Sequence, residues 1–322
     1  MATSWQLEIA TNVSDSNLLD LYSLKTGVSL LRLAGGLSGA FLNLRLWHAL
    51  RSNNASKSLQ LMAALAFSDA GLAFAISSSG IYSLVMTEQL LAGVEPSAVA
   101  CLLAHSLPLH CFMATSACLL LATAVDRMLF TRYPLFHFQL GAGYVRRWRL
   151  LAAAVGLCIV VAGLASYRDP LLRPFCELAF LYKDVYRLGL LPMIHTALVL
   201  GILACSVATL RSNAVAGAAY QGGWLSEESL AVRRRFAQSQ RLLLVFYVLS
   251  YLTLTVGAWM ILNLGLVQRT VWMLESKRLL TSLGLLGNVF ANFAVIYCRN
   301  QELRAKLKVV VCQCPCRKAE DE

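Results

Sequence analysis

Five stretches of this chain contain no aspartate, glutamate, lysine or arginine: Pro96–Val125, Leu150–Tyr167, Leu188–Leu210, Leu242–Gln268 and Leu279–Cys298. A helix that crosses a bilayer needs roughly 20 mostly apolar residues. Each stretch is therefore a candidate span. A sixth, Ser58–Thr87, is interrupted only by Asp69. A seventh, Gly27–Leu50, carries Arg32 and Arg45 near its ends, where long side chains are expected to snorkel to the headgroups. Only 14% of the 322 residues are charged and 58% are hydrophobic. Ordinary soluble domains carry about 25% charge. The fold class that follows is an all-α membrane protein, a bundle of seven transmembrane helices.

Seven spans put the termini on opposite sides of the membrane. With the N-terminus outside, the inner segments hold 19 of the 28 lysines and arginines. The positive-inside bias thus predicts an extracellular N-terminus and a cytoplasmic tail at the plasma membrane. Residues 1–26 form the outer segment, 27–298 the transmembrane domain and 299–322 the tail. The net charge of +11 is scattered among helix ends. It reads as orientation and lipid contact, and nucleic acid is not an expected partner.

Two long connections stand out. Residues 168–187 form the second outer loop. Residues 211–240 form the third inner loop, with a Gly- and Ala-rich start, 214–223, that reads as flexible. After Cys298, Leu303, Leu307, Val310 and Val311 make an apolar stripe beside Arg304, Lys306 and Lys308. That pattern predicts a short amphipathic eighth helix on the inner leaflet. Cys312, Cys314 and Cys316 follow as palmitoylation candidates, unmodified tail thiols being the alternative. Asn12 opens a glycosylation sequon on the outer side. Most of the ten cysteines lie inside spans. Cys101 and Cys176 face outward, and one bridge between them fits an oxidising compartment; two free thiols are the alternative.

The third span ends on Asp126-Arg127, and Pro134-Leu135 follows seven residues after the arginine. An acid beside the base can hold it until a partner enters from the cytoplasm. Pro134 makes a rigid corner and Leu135 an apolar knob on the second inner loop. Seven helices with this pattern resemble the rhodopsin-like (class A) G-protein-coupled receptors. The resemblance implies that Asp126, Arg127, Pro134 and Leu135 contact a heterotrimeric G protein.

Asp69 is a carboxylate near mid-membrane, a costly placement that needs partners. The resemblance pairs it with Ser116 of the third span and with Asn288 and Asn292 of the seventh. Asn288 and Asn292 are four apart and share a helix face. In the family such a set binds a structural Na⁺, and an oxygen-rich cage suits a hard cation. Ordinary interhelical hydrogen bonding is the alternative. No other cofactor is expected.

The departures from the family are specific. Met128 replaces the tyrosine after the arginine, Phe293 replaces the proline after Asn292, and the sixth span lacks its tryptophan and proline. A sixth span reading RLLLVFYVLSYLT and a seventh without its proline look most like the divergent nematode serpentine chemoreceptors. The ligand region implied by the resemblance takes Leu109, His110 and Met113 from the third span and Thr255 and Trp259 from the sixth. It contains no acid for an amine, and Leu286 stands near the place of the retinal lysine. A small, weakly polar extracellular molecule fits it, as does a peptide that contacts the loops. Two other classes fit a polytopic chain. One is a receptor-like protein that does not signal. The other is a small transporter, although repeated halves and broken mid-membrane helices are not evident. The sequence has no HExxH and no Gly-x-Ser-x-Gly, so catalysis is not expected.

Overall fold

The computed structural model describes residues 15–51, 56–91, 98–141, 143–167, 185–221 and 271–299, together with Gln238, Leu242, Val245, Val248 and Leu249. The described chain is dominated by helices. We number them α1 (Asp15–Leu50), α2 (Lys57–Leu91), α3 (Leu107–Arg132), α4 (Pro134–Gln139), α5 (Gly143–Ala165), α6 (Leu191–Gln221) and α7 (Val271–Arg299). Six described segments are long and apolar enough to cross a membrane: Ser23–Leu50, Lys57–Val85, Leu102–Arg132, Gly143–Ala165, Leu191–Ser212 and Arg278–Tyr297. The expected sixth span falls almost wholly outside the described residues. Its described members are helical, and Gln238, Leu242, Val245 and Leu249 form one exposed stripe at helical spacing.

The α1–α2 pair is the most closely packed. In α1 the buried positions include Val28, Arg32, Gly36, Asn43, Leu46 and Leu50, a stripe that recurs every three or four residues. Glycines let the backbones meet. A Cβ on Gly36 would lie 2.6 Å from the Ala73 carbonyl oxygen and 2.7 Å from the Ser77 nitrogen. A Cβ on Gly80 would lie 2.7 Å from the Ser29 carbonyl oxygen. Small residues at such contacts are the usual device of membrane helices. The third helix occupies the centre, touching α2, α5 and α6, while α7 packs on α1 and α2.

Three features differ from what the sequence led us to expect. Arg32 does not snorkel: it is only 8% exposed and points into the bundle, because it falls on the buried stripe of α1. Arg45 lies off that stripe, with its guanidinium 4.8 Å from the Phe41 ring centroid. The start of the third inner loop is not an irregular linker, since α6 continues to Gln221. Alanine is the best helix former, and four alanines fall between residues 214 and 221. Finally, π turns precede two helices, Leu102–Ser106 before α3 and Val185–Leu190 before α6. Pro108 and Pro192 sit just inside those helices. Each lacks an N–H and crowds the carbonyl four residues back, which favours a local slip of register.

The Gly36 contact is with backbone atoms that cannot swing aside. Gly36→Val should therefore destabilise the detergent-purified protein by about 1–3 kcal/mol, as overpacking does. Gly27, with nothing within 4 Å of its would-be Cβ, is the control. Tryptophan-fluorescence thermal unfolding should show a lowered midpoint for Gly36→Val and none for Gly27→Ala.

Candidate functional site

Two polar centres lie along α3, one inside the bundle and one at the end that carries Arg127. In the interior, Asp69 of α2 is fully buried. Ser116 Oγ donates to its Oδ1 at 2.5 Å, and Asn292 Nδ2 donates to its Oδ2 at 2.8 Å. One carboxylate thus joins α2, α3 and α7. Asn43 adds α1, its Nδ2 donating to the Gly39 carbonyl at 3.0 Å and to the Val289 carbonyl at 3.3 Å. The carbonyl oxygens Oδ1 of Asn43, Asn288 and Asn292 are all buried and lack a hydrogen-bond partner among the described residues. Ser116 and Asn292 reach the Asp69 carboxylate, Asn288 is bonded to it in no described contact, and buried oxygens of this kind are chemically suited to a hard monovalent cation.

At the end of α3, Asp126 and Arg127 are both buried, the arginine to 3% exposure. The sequence reading has Asp126 holding Arg127. Asp126 also accepts from α4: His137 Nε2 donates to Asp126 Oδ1 at 2.9 Å. The cause is the corner at Tyr133-Pro134. It ends α3 and starts α4, which folds back beneath the acid. Two further contacts hold α4 there. Lys57 Nζ donates to the His137 carbonyl at 3.0 Å, and the His137 ring meets Phe130 edge-on at 5.6 Å. This anchoring leaves Leu135 79% exposed, with Phe136 and Phe138 exposed beside it.

The opposite end of α3 holds the described part of the expected ligand region. Leu109 and Met113 pack, together with Phe112, against the apolar cluster of α1, α2 and α7 that contains Ala40, Ile76 and Val289. His110 lies about a quarter turn away, and its Nδ1–H donates to the Ser106 carbonyl at 2.6 Å within the π turn. His195 of α6 is buried, with Nε2 lacking a hydrogen-bond partner among the described residues. Thr255 and Trp259 lie outside the described residues, as do Asn12, Cys176, Cys312, Cys314 and Cys316. Cys101 is disulfide-bonded.

Several residues went unnoticed in the sequence. His137 was hidden because its role depends on the α3–α4 corner; the available signal was a histidine three residues after Pro134. His195 and Arg278 are polar residues within or at the edge of apolar spans, which is itself a signal. Ser79 and Ser282, which with the Arg278 carbonyl accept from Arg32, carry no signal, since serine is common in membrane helices.

A family model, described as "Serpentine type 7TM GPCR chemoreceptor Srsx", matches residues 54–311. No curated protein matches this chain.

Proposed function

This chain belongs to the Srsx family of serpentine seven-transmembrane chemoreceptors, and from that premise we propose that it activates a heterotrimeric G protein when an extracellular ligand binds. Arg127 is the residue that engages the G protein, and α4 supplies the apolar contact through Leu135. The observation that carries the reading is the pairing of a buried Arg127 with an anchored α4 whose Leu135 projects outward at the same end of the bundle. An exposed leucine flanked by exposed phenylalanines is an apolar patch that a partner would cover.

Activation is a shift between two arrangements of the bundle, and ligand moves it only through unequal affinity for the two. In the resting arrangement His137 occupies Asp126. The G protein takes the arginine as the inner face opens. The ligand is a small, mostly apolar molecule or a peptide, entering from the end opposite Arg127. Apolar Leu109 and Met113 and the polar rings of His110 and His195 lie at that level. The N-terminus is extracellular and the tail cytoplasmic, a reading that the distribution of basic residues supports.

A sodium ion held by Asp69, Ser116, Asn288 and Asn292 fits the interior centre. It would neutralise the buried carboxylate and take up the unpartnered asparagine oxygens. Sodium chloride should then raise the unfolding midpoint above that in equal N-methylglucamine chloride, and Asp69→Asn should remove the difference.

The coupling reading is tested by recruitment of an engineered mini-G protein in cells, without ligand and at matched surface expression. Basal recruitment by the wild type should fall at least tenfold in Arg127→Ala and in Leu135→Asp. Recruitment unchanged in both variants would remove Arg127 and α4 from the coupling surface.

A further inference from the structure

Beside the end that carries Arg127, the outward face of α5 changes from basic to apolar within one turn. Along the span, Leu150, Leu157, Val161 and Leu164 are 60%, 63%, 57% and 50% exposed. They lie on the side of the helix opposite the buried Ala152, Gly156 and Ile159. At the start of α5 the same face carries Arg146 and Arg147, both exposed. With 3.6 residues per turn, Leu150 falls about 40° from Arg146 and about 60° from Arg147, so the two arginines flank the line of the apolar stripe. We propose that Arg146 and Arg147 bind the phosphate of an anionic phospholipid whose acyl chains lie along this face.

The apolar part of the site follows from the span. Gly143–Ala165 is long and apolar enough to cross a membrane, so the side chains it leaves exposed are covered by lipid. From Leu150 to Leu164 the stripe is about 21 Å long, more than half of a hydrocarbon core of about 30 Å. Chains that start at the arginines therefore meet apolar side chains through the whole depth of their own leaflet.

Charge selects the headgroup. Among the described residues, Arg146 and Arg147 make no hydrogen bond, ion pair or ring contact. Arg149, about one turn on from Arg146, is also exposed, and its Nη2 donates to the Gln60 carbonyl at 3.0 Å. Arg45 and Arg51 of α1 instead lie over rings of their own helix, 4.8 Å from the Phe41 centroid and 4.9 Å from that of Trp47. Asp126 is the one carboxylate at this end among the described residues, and it is buried and accepts from His137. Guanidinium forks match phosphate oxygens two bonds at a time. A zwitterionic headgroup brings its own cation, which neighbouring arginines repel, so the fit is to a headgroup of net negative charge.

The site's place in the inner leaflet, where anionic lipids concentrate, rests on the reading that Arg127 faces the cytoplasm, whereas binding itself does not. The headgroup also adjoins the coupling surface. Arg149 joins α5 to the first turn of α2, and Lys57 of that turn donates to the His137 carbonyl of α4. A bound lipid thus braces the frame that carries Leu135.

The experiment is native mass spectrometry of the full-length protein in detergent, titrated with phosphatidylglycerol and, separately, with phosphatidylcholine of the same chains. The wild type should take up its first phosphatidylglycerol at a lower lipid concentration than its first phosphatidylcholine. An arginine beside an anionic headgroup contributes about fivefold in affinity, so Arg146→Gln/Arg147→Gln should need about 25-fold more phosphatidylglycerol and no more phosphatidylcholine. Both side chains are exposed, so that variant keeps the packing of α5. Arg45→Gln/Arg51→Gln removes the same charge from the same end and should bind as the wild type does. Equal losses in the two double variants would mean diffuse surface charge and no site. A wild type without preference for phosphatidylglycerol, or undiminished uptake by Arg146→Gln/Arg147→Gln, would likewise overturn the proposal. Glycerol 3-phosphate carries the phosphate without the chains and should not displace the lipid at equal concentration; displacement would overturn the assignment to a lipid. Failure here with mini-G recruitment intact sinks this inference alone, and failure of recruitment leaves the lipid result standing.

Discussion

A buried carboxylate in a membrane bundle is stable only if its oxygens are occupied. Asp69 satisfies that demand by accepting from Ser116 on α3 and Asn292 on α7. The consequence is architectural. Three helices are thereby fixed in rotation about one point. Asn43 then ties α1 to the backbone of α7 beside it. Apolar packing in lipid has little directional preference, so these polar bonds set which faces of the helices meet.

On either side of this point the bundle presents opposite chemistry. At one end, Asp126 and His137 hold α4 beneath the tip of α3, and Leu135 stands exposed. At the other, Arg32 clamps α1, α2 and α7 through its bonds to Ser79, Ser282 and the Arg278 carbonyl. The same helices, α2, α3 and α7, run past Asp69 to reach both ends. Packed helices thus join the region around Arg32 to the end that carries Arg127, an arrangement that a receptor reading one face and acting on the other would need. Membership in the serpentine chemoreceptors agrees with that arrangement.

Much of this was legible in the chain. The uncharged runs located the six described spans, and of the expected set Asp69, Ser116, Asn288 and Asn292, the described bonds join Ser116 and Asn292 to Asp69. What was missed has identifiable causes. Arg32 was assigned to the headgroups by its nearness to the end of a run. Its spacing from Gly36, Asn43, Leu46 and Leu50 would have placed it on the buried face. The extension of α6 through Ala214 and beyond was obscured by reading small residues as flexible, when alanine and glycine differ by about 1 kcal/mol in helix preference. The His137–Asp126 bond depends on the angle at the Tyr133-Pro134 corner, which no linear pattern specifies. The π turns are a similar case: proline predicts a disturbance, and the surrounding packing chooses between a kink and a slip.

The central claim is that one carboxylate fixes the relative rotation of α2, α3 and α7. Hydrogen–deuterium exchange of wild type and Asp69→Ala tests it most directly. The account predicts faster exchange in the variant on both sides of Ser116 in α3 and of Asn292 in α7, far from residue 69 in sequence. Exchange that changes only within the turns of α2 around residue 69 would contradict it, and would leave apolar packing as the agent that orients these helices.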